Sequence, residues 1–531
     1  MKAVLILGAG VMQGPAIRIA KGKGYRVHAA DGNPHAVHAS TVDVFHHVDL
    51  KDTTALAEAA AGIEGLAGVF TAGTDFSASV AYVAAKLGLP GIPYEVALDA
   101  SDKSRMRARL RAGGVPVPAF AFGTVADDPL LLAQRVAPLP LVVKPVDNMG
   151  SRGCRLARTD DELKAAWTDA VSNSRTGRAI IEAYLEGPEF SLDAVVCRGE
   201  VVLRGIADRI VVFEPFFVEM GHTMPTAYGQ EIVDEVTAVF KAGVAALGIR
   251  DGAAKGDIKY TRQGAFVGEI AARLSGGYMS GWTYPYASGI EATEEALDIA
   301  CGETPVFKEP AFDLVCSERA WISIPGKVAG IVNVDKARAA ASQSGAVREL
   351  FPRAGAGDRV VFPCNNVEKC GNIIAVAPSR AEADSLAESA ARSILIRLAP
   401  ADGETRAFLE GKGRIVGPHG AVWPPDAYAG LSAMTLAALA KMPDIVKDRQ
   451  TRASVSIAPL PGIDAESALD WQGRSVSESL RAVAELTGAR LGIDGDVVLG
   501  AVFWKAFIRG GYQAGAWIVE TTLGKGGTEK P

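Results

Sequence analysis

The chain is poor in the residues that build metal and redox centres, with six cysteines and seven histidines in 531 residues. None of Cys154, Cys197, Cys301, Cys316, Cys364 and Cys370 stands in a C-x-x-C pair. That spacing excludes the usual zinc knuckle and dithiol motif and predicts reduced thiols. His46 and His47 are neighbours on a stretch that reads as extended, so their side chains point to opposite faces and cannot share one metal. Basic charge is scarce too: 55 Lys and Arg against 61 Asp and Glu give −6, which is no footprint for nucleic acid. No apolar run reaches the length of a bilayer crossing, and Met1 leads directly into a charged residue and a short strand rather than a signal peptide. The expectation is a cytoplasmic protein with neither a nucleic-acid nor a membrane partner.

What is present is ordinary globular material, 48% hydrophobic and 22% charged, in a chain too long for one domain. The first hundred residues alternate strand and helix: strands at 2–7, 25–30 and 68–71, helices at 15–23 and 76–87. That order predicts a parallel, doubly wound sheet. Gly8-Ala9-Gly10, then Gly14, with Asp31 closing the second strand, imitates a dinucleotide fingerprint. The third glycine falls one residue late, however, and Gln13 and Pro15 occupy the tight entry to the helix.

A second α/β region opens at Ser101-Asp102-Lys103, where Asp102 or Ser101 caps a basic helix. A strand at 141–146 carries Lys144, and a polar, glycine-bearing loop follows at 147–153. A strand at 179–185 runs into Glu186-Gly187-Pro188-Glu189, and residues 230–247 form a long amphipathic helix. Ser379 and Glu382 make a capping box for a helix running to about residue 398. Beyond 399 the pattern gives helices near 431–440 and 477–487 and strands near 497–499 and 517–521. No catalytic motif stands there.

Residues 253–273 carry the most chemistry. Two extended runs, 255–261 and 265–271, flank Arg262-Gln263-Gly264, which reads as a three-residue hairpin loop. Thr261 then pairs with Ala265, and Asp257 lies opposite Glu269. One face holds Lys255, Asp257, Lys259, Glu269 and Arg273; the other holds Ala254, Ile258, Tyr260, Phe266 and Ile270 and belongs to the core. Facing carboxylates repel unless a cation or proton lies between them. Hard oxygens beside lysines suited to phosphate point to magnesium shared with a nucleotide.

Taken in order, these residues resemble the ATP-grasp superfamily over roughly residues 1–398. The resemblance implies an α/β and α+β multidomain fold: a Rossmann-like pre-ATP-grasp domain (1–100), a two-lobed ATP-grasp core (101–300), a closing C-terminal subdomain (301–400) and an unassigned α/β tail (401–531). It implies ATP contacts at Lys103 and Lys144, at Gly150 and Ser151 of a flap, at Glu182, Tyr184 and Leu185 of an adenine hinge, and at Glu189 on the ribose. Glu182 would take the exocyclic amine. Asp257 and Glu269 would hold Mg2+, and Arg273 would steady the transferring phosphoryl group. The family usually places Asn two residues after the second acid, where this chain has Ala271. The pre-domain of this superfamily does not bind NAD.

Within the superfamily the chain is most similar to carboxylate-amine ligases. Glu219 and His222, in a segment followed by Pro225, resemble their substrate side, and Thr74 and Asp75 match a strand-end pattern shared with carbamoyl-phosphate synthetases. The implied reaction joins a small carboxylate, as its acyl phosphate, to an amine, with ADP and phosphate released. Two alternatives stay open: a bicarbonate-activating carboxylase or carbamoyl-phosphate-type enzyme, and a nucleotide-binding regulator without catalysis. A homodimer is compatible with the apolar tail. Every nucleotide motif precedes Ala399, so the sequence predicts that truncation there leaves ATP binding intact.

Overall fold

A computed structural model describes residues 1–415, 422–450 and 453–524. The chain forms two compact units, Met1–Glu318 with Ala375–Asp384, and Arg319–Ile374 with Ser385–Pro531.

The first unit begins with four parallel strands in the order Val44–His47, Arg26–Asp31, Ala3–Leu7 and Leu66–Phe70. Helices Gly14–Gly22, Thr53–Ala61 and Ser77–Leu87 follow the strands Ala3–Leu7, Val44–His47 and Leu66–Phe70. The central strand is buried along its whole length, which is why it reads as a continuous apolar run. A helix the sequence reading did not foresee, Tyr94–Ser101, runs into the basic helix Lys103–Ala112. Asp102 caps the latter by accepting from the Ser104 and Arg105 amides.

Two antiparallel sheets follow within the same unit. The smaller has the order Phe120–Thr124, Arg178–Ala183, Leu141–Pro145 and Arg155–Ala157. Helix Asp160–Ser172 packs Leu163, Ala166 and Trp167 into its core with Leu141, Val143 and Ile181. In the larger sheet Gly264–Ala271, Gly252–Thr261, Glu189–Cys197, Glu200–Val212 and Val218–Met224 are successive neighbours. Helix Gln230–Leu247 lies on this sheet, its Phe240 and Val244 joining Phe190, Leu192, Ile258 and Ile270 in one cluster.

In the second unit, strand Gly326–Val332 lies between Arg359–Val360 and Leu395–Leu398. The helix expected to run to about residue 398 ends earlier. It spans Arg380–Ser393, and the next residues form the strand Leu395–Leu398, because Val328 and Val332 offer them a partner. A four-stranded sheet follows in the order Ile445–Asp448, Val497–Leu499, Val455–Ile457 and Arg490–Leu491. The strand expected near 517–521 is helical. Those residues end the helix Ala501–Thr522, broken at Gly510 and Gly511. Phe503, Trp504, Phe507, Ala514 and Val519 are all buried. A helix buried over most of its circumference shows only a narrow polar stripe, here Lys505 and Arg509, so its period is faint and β-branched residues such as Ile518 and Val519 mislead.

Candidate active site

The carboxylate hairpin is built with one feature that simple alternation does not predict. Thr261 pairs with Gly264, leaving a two-residue turn at Arg262-Gln263 in place of the expected three. Gly264 takes φ +106°, open to glycine at no steric cost. The ladder then runs one residue out of the expected register until a bulge at Gly268 restores it, and Asp257 still faces Glu269. Because of that shift Phe266 stands opposite Lys259 and leaves the core face, while fully buried Val267 joins Ile258 and Ile270 there.

Each carboxylate is surrounded by cations. Asp257 pairs with Lys255 on its own strand and with Arg209 Nη1 at 3.0 Å. Its second oxygen, Oδ1, is buried with no hydrogen-bond partner among the described residues. Glu269 lies 3.6 Å from Lys103 Nζ. Burial alone would push its carboxyl up, but Lys103, Lys255, Lys144 and Arg273 overrule it and hold it down to about 2. Lys103 also donates to the Asn148 carbonyl at 2.7 Å, which ties the helix start to the glycine-bearing loop.

Glu182 is the joint of this region. It is 3% exposed, and it accepts from Arg107 Nε at 2.6 Å while Lys144 Nζ lies 2.6 Å from its other oxygen. Burial again raises its carboxyl, yet Arg107 and Lys144 hold it below the ordinary value. Expected to meet an adenine amine, Glu182 instead has both oxygens engaged inside the protein. Arg107 Nη2 donates to the Gly268 carbonyl at 2.7 Å, so one guanidinium joins the helix, the small sheet and the hairpin bulge.

Of the remaining candidates, Tyr184 and Leu185 are half-buried, and the Tyr184 hydroxyl donates to Glu214 at 3.2 Å. Glu189 pairs with Arg209 and lies 3.6 Å from Lys259 Nζ. Gly150 and Ser151 both adopt left-handed backbone, φ +65° and +62°, in the loop that follows Lys144. Glu219 is buried and accepts from Arg209 Nη2 at 2.6 Å. His222 belongs to strand Val218–Met224, fully buried, with Nε2 3.0 Å from Thr283 Oγ1 and Nδ1 3.2 Å from Glu318.

Thr74, Asp75, Lys103, Glu269 and Arg273 line one cavity of about 410 Å3. Arg273 donates to the Thr74 carbonyl at 2.9 Å and to the Leu274 carbonyl at 2.9 Å, while Asp75 accepts from Arg175 at 2.5 Å. Behind this loop, buried Asp193 accepts from the Ser275 amide at 2.9 Å and from its hydroxyl. The pre-domain glycine turn is filled from within: Gln13 donates to the Ala72 carbonyl at 2.8 Å and lies where a Cβ on Gly8 would stand. Asp31 accepts from the Ala9 and Asn33 amides, both at 2.8 Å, and so closes its own loop.

Residues 137–281 match the family described as the ATP-grasp domain, and residues 320–399 match the L-amino acid ligase C-terminal domain 2. The chain thus carries an ATP-grasp domain and an L-amino acid ligase C-terminal domain 2. Among similar proteins, an uncharacterized protein of Sinorhizobium fredii is 28% identical over 340 residues, covering 63% of this chain and 69% of that one. Carnosine synthase 1 of Mus musculus is 25% identical over 333 residues, 57% of this chain. The match spans 40% of that synthase, less than half its length. The L-amino acid ligase structure from Bacillus licheniformis superposes with a TM-score of 0.64 at 20% identity, covering 75% of this chain and 99% of that one. Phosphoribosylglycinamide synthetase from Anaerococcus prevotii gives 0.60, also at 20% identity and over 75% and 99% of the two chains. At that identity these likenesses establish the fold.

The sequence reading missed two residues central to this ATP-grasp core. Arg107 lies four positions after Lys103 and hence on the same helix face, a signal that was available. Arg209 is one of two arginines on strand Glu200–Val212, and only the three carboxylates around it, Glu189, Glu219 and Asp257, show its importance.

Proposed function

We propose that this ligase activates a small carboxylate, an amino acid or a close analogue, as an acyl phosphate and transfers it to an amine, releasing ADP and phosphate. The observation that carries the reading is the hairpin, whose facing Asp257 and Glu269 sit among Lys103, Lys255 and Arg273 beside one cavity. The match of residues 320–399 to the amino acid ligase C-terminal domain favours a carboxylate-amine ligase over a bicarbonate-activating enzyme. The names of the carnosine synthase and of the B. licheniformis enzyme point the same way.

In this reading Lys103 and Lys144 act as point charges on the phosphates. The loop at 148–153 covers them with backbone amides, left-handed at Gly150 and Ser151 and hence able to converge on an anion. Tyr184 and Leu185 edge the base, Glu189 meets the ribose, and Glu182 fixes Lys144 from behind. Asp257 and Glu269 fit a divalent cation, since Asp257 Oδ1 is buried with its lone pairs unmatched. Mg2+ bound there would draw charge from the β- and γ-phosphates. Arg273, held by the Thr74 and Leu274 carbonyls, neutralises charge as the substrate carboxylate attacks the γ-phosphorus. Thr74 and Asp75 face the acid. Glu219 and His222 act from within the sheet, through Arg209 and Thr283.

The test is an acid screen in which hydroxylamine replaces the amine. Nucleotide products and hydroxamate are measured together for the wild type and for Arg273→Ala. ADP, phosphate and hydroxamate are expected, with the variant about a hundredfold slower. Release of AMP would overturn the reading, and bicarbonate-dependent turnover without an organic acid would turn it toward a carboxylase.

A further inference from the structure

Lys255 has no task in the reaction just described, although it is placed at its centre. It stands two residues before Asp257 on the same strand face, and its ammonium is bonded to Asp257 Oδ2. Directly across the ladder is Ala271, which brings no oxygen or nitrogen to the site. The ammonium is thus fixed on Asp257, on the strand face that Glu269 shares.

The oxygens left over are few. Asp257 Oδ2 is taken by Lys255 and by Arg209 at 3.0 Å, which leaves Oδ1 as the open oxygen of that carboxylate. Glu269 faces Lys103 across 3.6 Å. Asp257 Oδ1 and Glu269 together suffice for one hard cation completed by phosphate oxygens and water. A second ion would need further carboxylates or amides, and Ala271, across the ladder from Lys255, supplies none. It would also lie against a fixed positive charge.

We propose that the Lys255 ammonium stands where a second metal ion would otherwise bridge the carboxylates and phosphates, so that this chain binds its nucleotide with one divalent cation. The proposal rests on the nucleotide reading above and deepens it. Ala271 and Lys255 are then one device: the position that could add a ligand is empty of donors, and the residue facing it supplies the charge.

The experiment uses the full chain with Mn2+ and a non-hydrolysable β,γ-methylene analogue of ATP, read by electron paramagnetic resonance and equilibrium dialysis. The wild type is expected to hold one Mn2+ per bound nucleotide, with the spectrum of an isolated ion. Lys255→Ala combined with Ala271→Asn is expected to hold two, with the exchange-coupled spectrum of ions about 3.5–4 Å apart. A coupled pair in the wild type would overturn the proposal, as would a single ion in a double variant that binds the analogue. Lys255→Met serves if the double variant does not fold. It is expected to bind the analogue about tenfold more weakly at low Mn2+, the loss of one charged contact, and to recover in excess Mn2+. A loss that excess Mn2+ leaves unrepaired counts against the proposal. A wild type that binds no analogue at all would remove the nucleotide reading together with this one.

Discussion

Glu182 shows how much one buried carboxylate can organise. Between Arg107 and Lys144 it offsets two cations in a place where solvent cannot. Glu182→Gln removes the negative charge and leaves the two cations facing a neutral amide, a loss on the order of 3–5 kcal/mol. The variant is therefore expected to melt earlier and to bind ATP more weakly, which thermal melting and calorimetric titration would report. Two other acids respond to pH with opposite signs. Glu269 is held down to about 2 from an ordinary 4.5, so its contribution to stability is present above the latter and lost as pH falls toward the former. For Asp193, burial pushes the carboxyl up to about 6 from 3.8, against the Ser275 hydrogen bonds, so its contribution is full below 3.8 and withdrawn as pH rises through 6. Relative to the wild type, Glu269→Gln should lose most stability near neutrality and less in acid. Asp193→Asn should compare best above pH 6 and worst in acid. Melting curves across that range decide the matter, and parallel profiles for the two variants would refute the assignment.

Among elements, the hairpin was the most legible, because charged and apolar residues alternate along both runs and only one face could be core. The facing pair Asp257 and Glu269 followed from that alternation. The bulge at Gly268 did not, since burying Val267 in place of Phe266 depends on what helix Gln230–Leu247 presents to the sheet. The helix Ala501–Thr522 was illegible for a related reason, as its surroundings bury most of its circumference. Those surroundings also revise the expectation for truncation. Tyr512 accepts from the Ile396 amide at 2.9 Å, Gln513 accepts from the Ile324 amide at 3.1 Å, and Glu520 pairs with Arg397 at 2.6 Å. A chain cut at Ala399 loses all three partners and bares the Phe503 and Phe507 cluster's side of Leu395. It is expected to aggregate or to lose the cooperative melting of the second unit. The hinge makes a sharper element-level test. Gly187 has φ +141°, and a Cβ there would stand 1.9 Å from the Tyr260 carbonyl. Gly187→Ala must therefore push the 184–188 segment off strand Gly252–Thr261, where Tyr260 N now donates to the Pro188 carbonyl at 3.0 Å. ATP affinity should fall while the carboxylate face at Asp257 stays intact, so any Mn2+ affinity in the absence of nucleotide should not change.

At the scale of the molecule, every residue assigned to nucleotide, metal or acid lies in the unit Met1–Glu318 with Ala375–Asp384. The amino acid ligase C-terminal match and the long helix belong mostly to the other. A ligand that binds only the folded first unit stabilises that unit, by about 2.7 kcal/mol at a hundred times its dissociation constant. Amide exchange reports such stabilisation locally, because each segment opens with its own free energy. With ATP and Mg2+ present, exchange should slow along residues 103–112, 178–197 and 252–273, which carry Lys103, Glu182, Glu189, Asp257, Glu269 and Arg273. The loop at 148–153 should change most, since few contacts hold it beyond those of Asn148 and Met149, among them the Lys103 bond to the Asn148 carbonyl. Helices Val476–Thr487 and Ala501–Thr522 carry none of the residues assigned to the nucleotide, and their exchange should stay as it is. The pattern discriminates because a nucleotide held by any other surface would protect other amides. Protection confined to residues 320–399 and the helices beyond them, with none along the hairpin, would show that the carboxylate face is not where ATP binds.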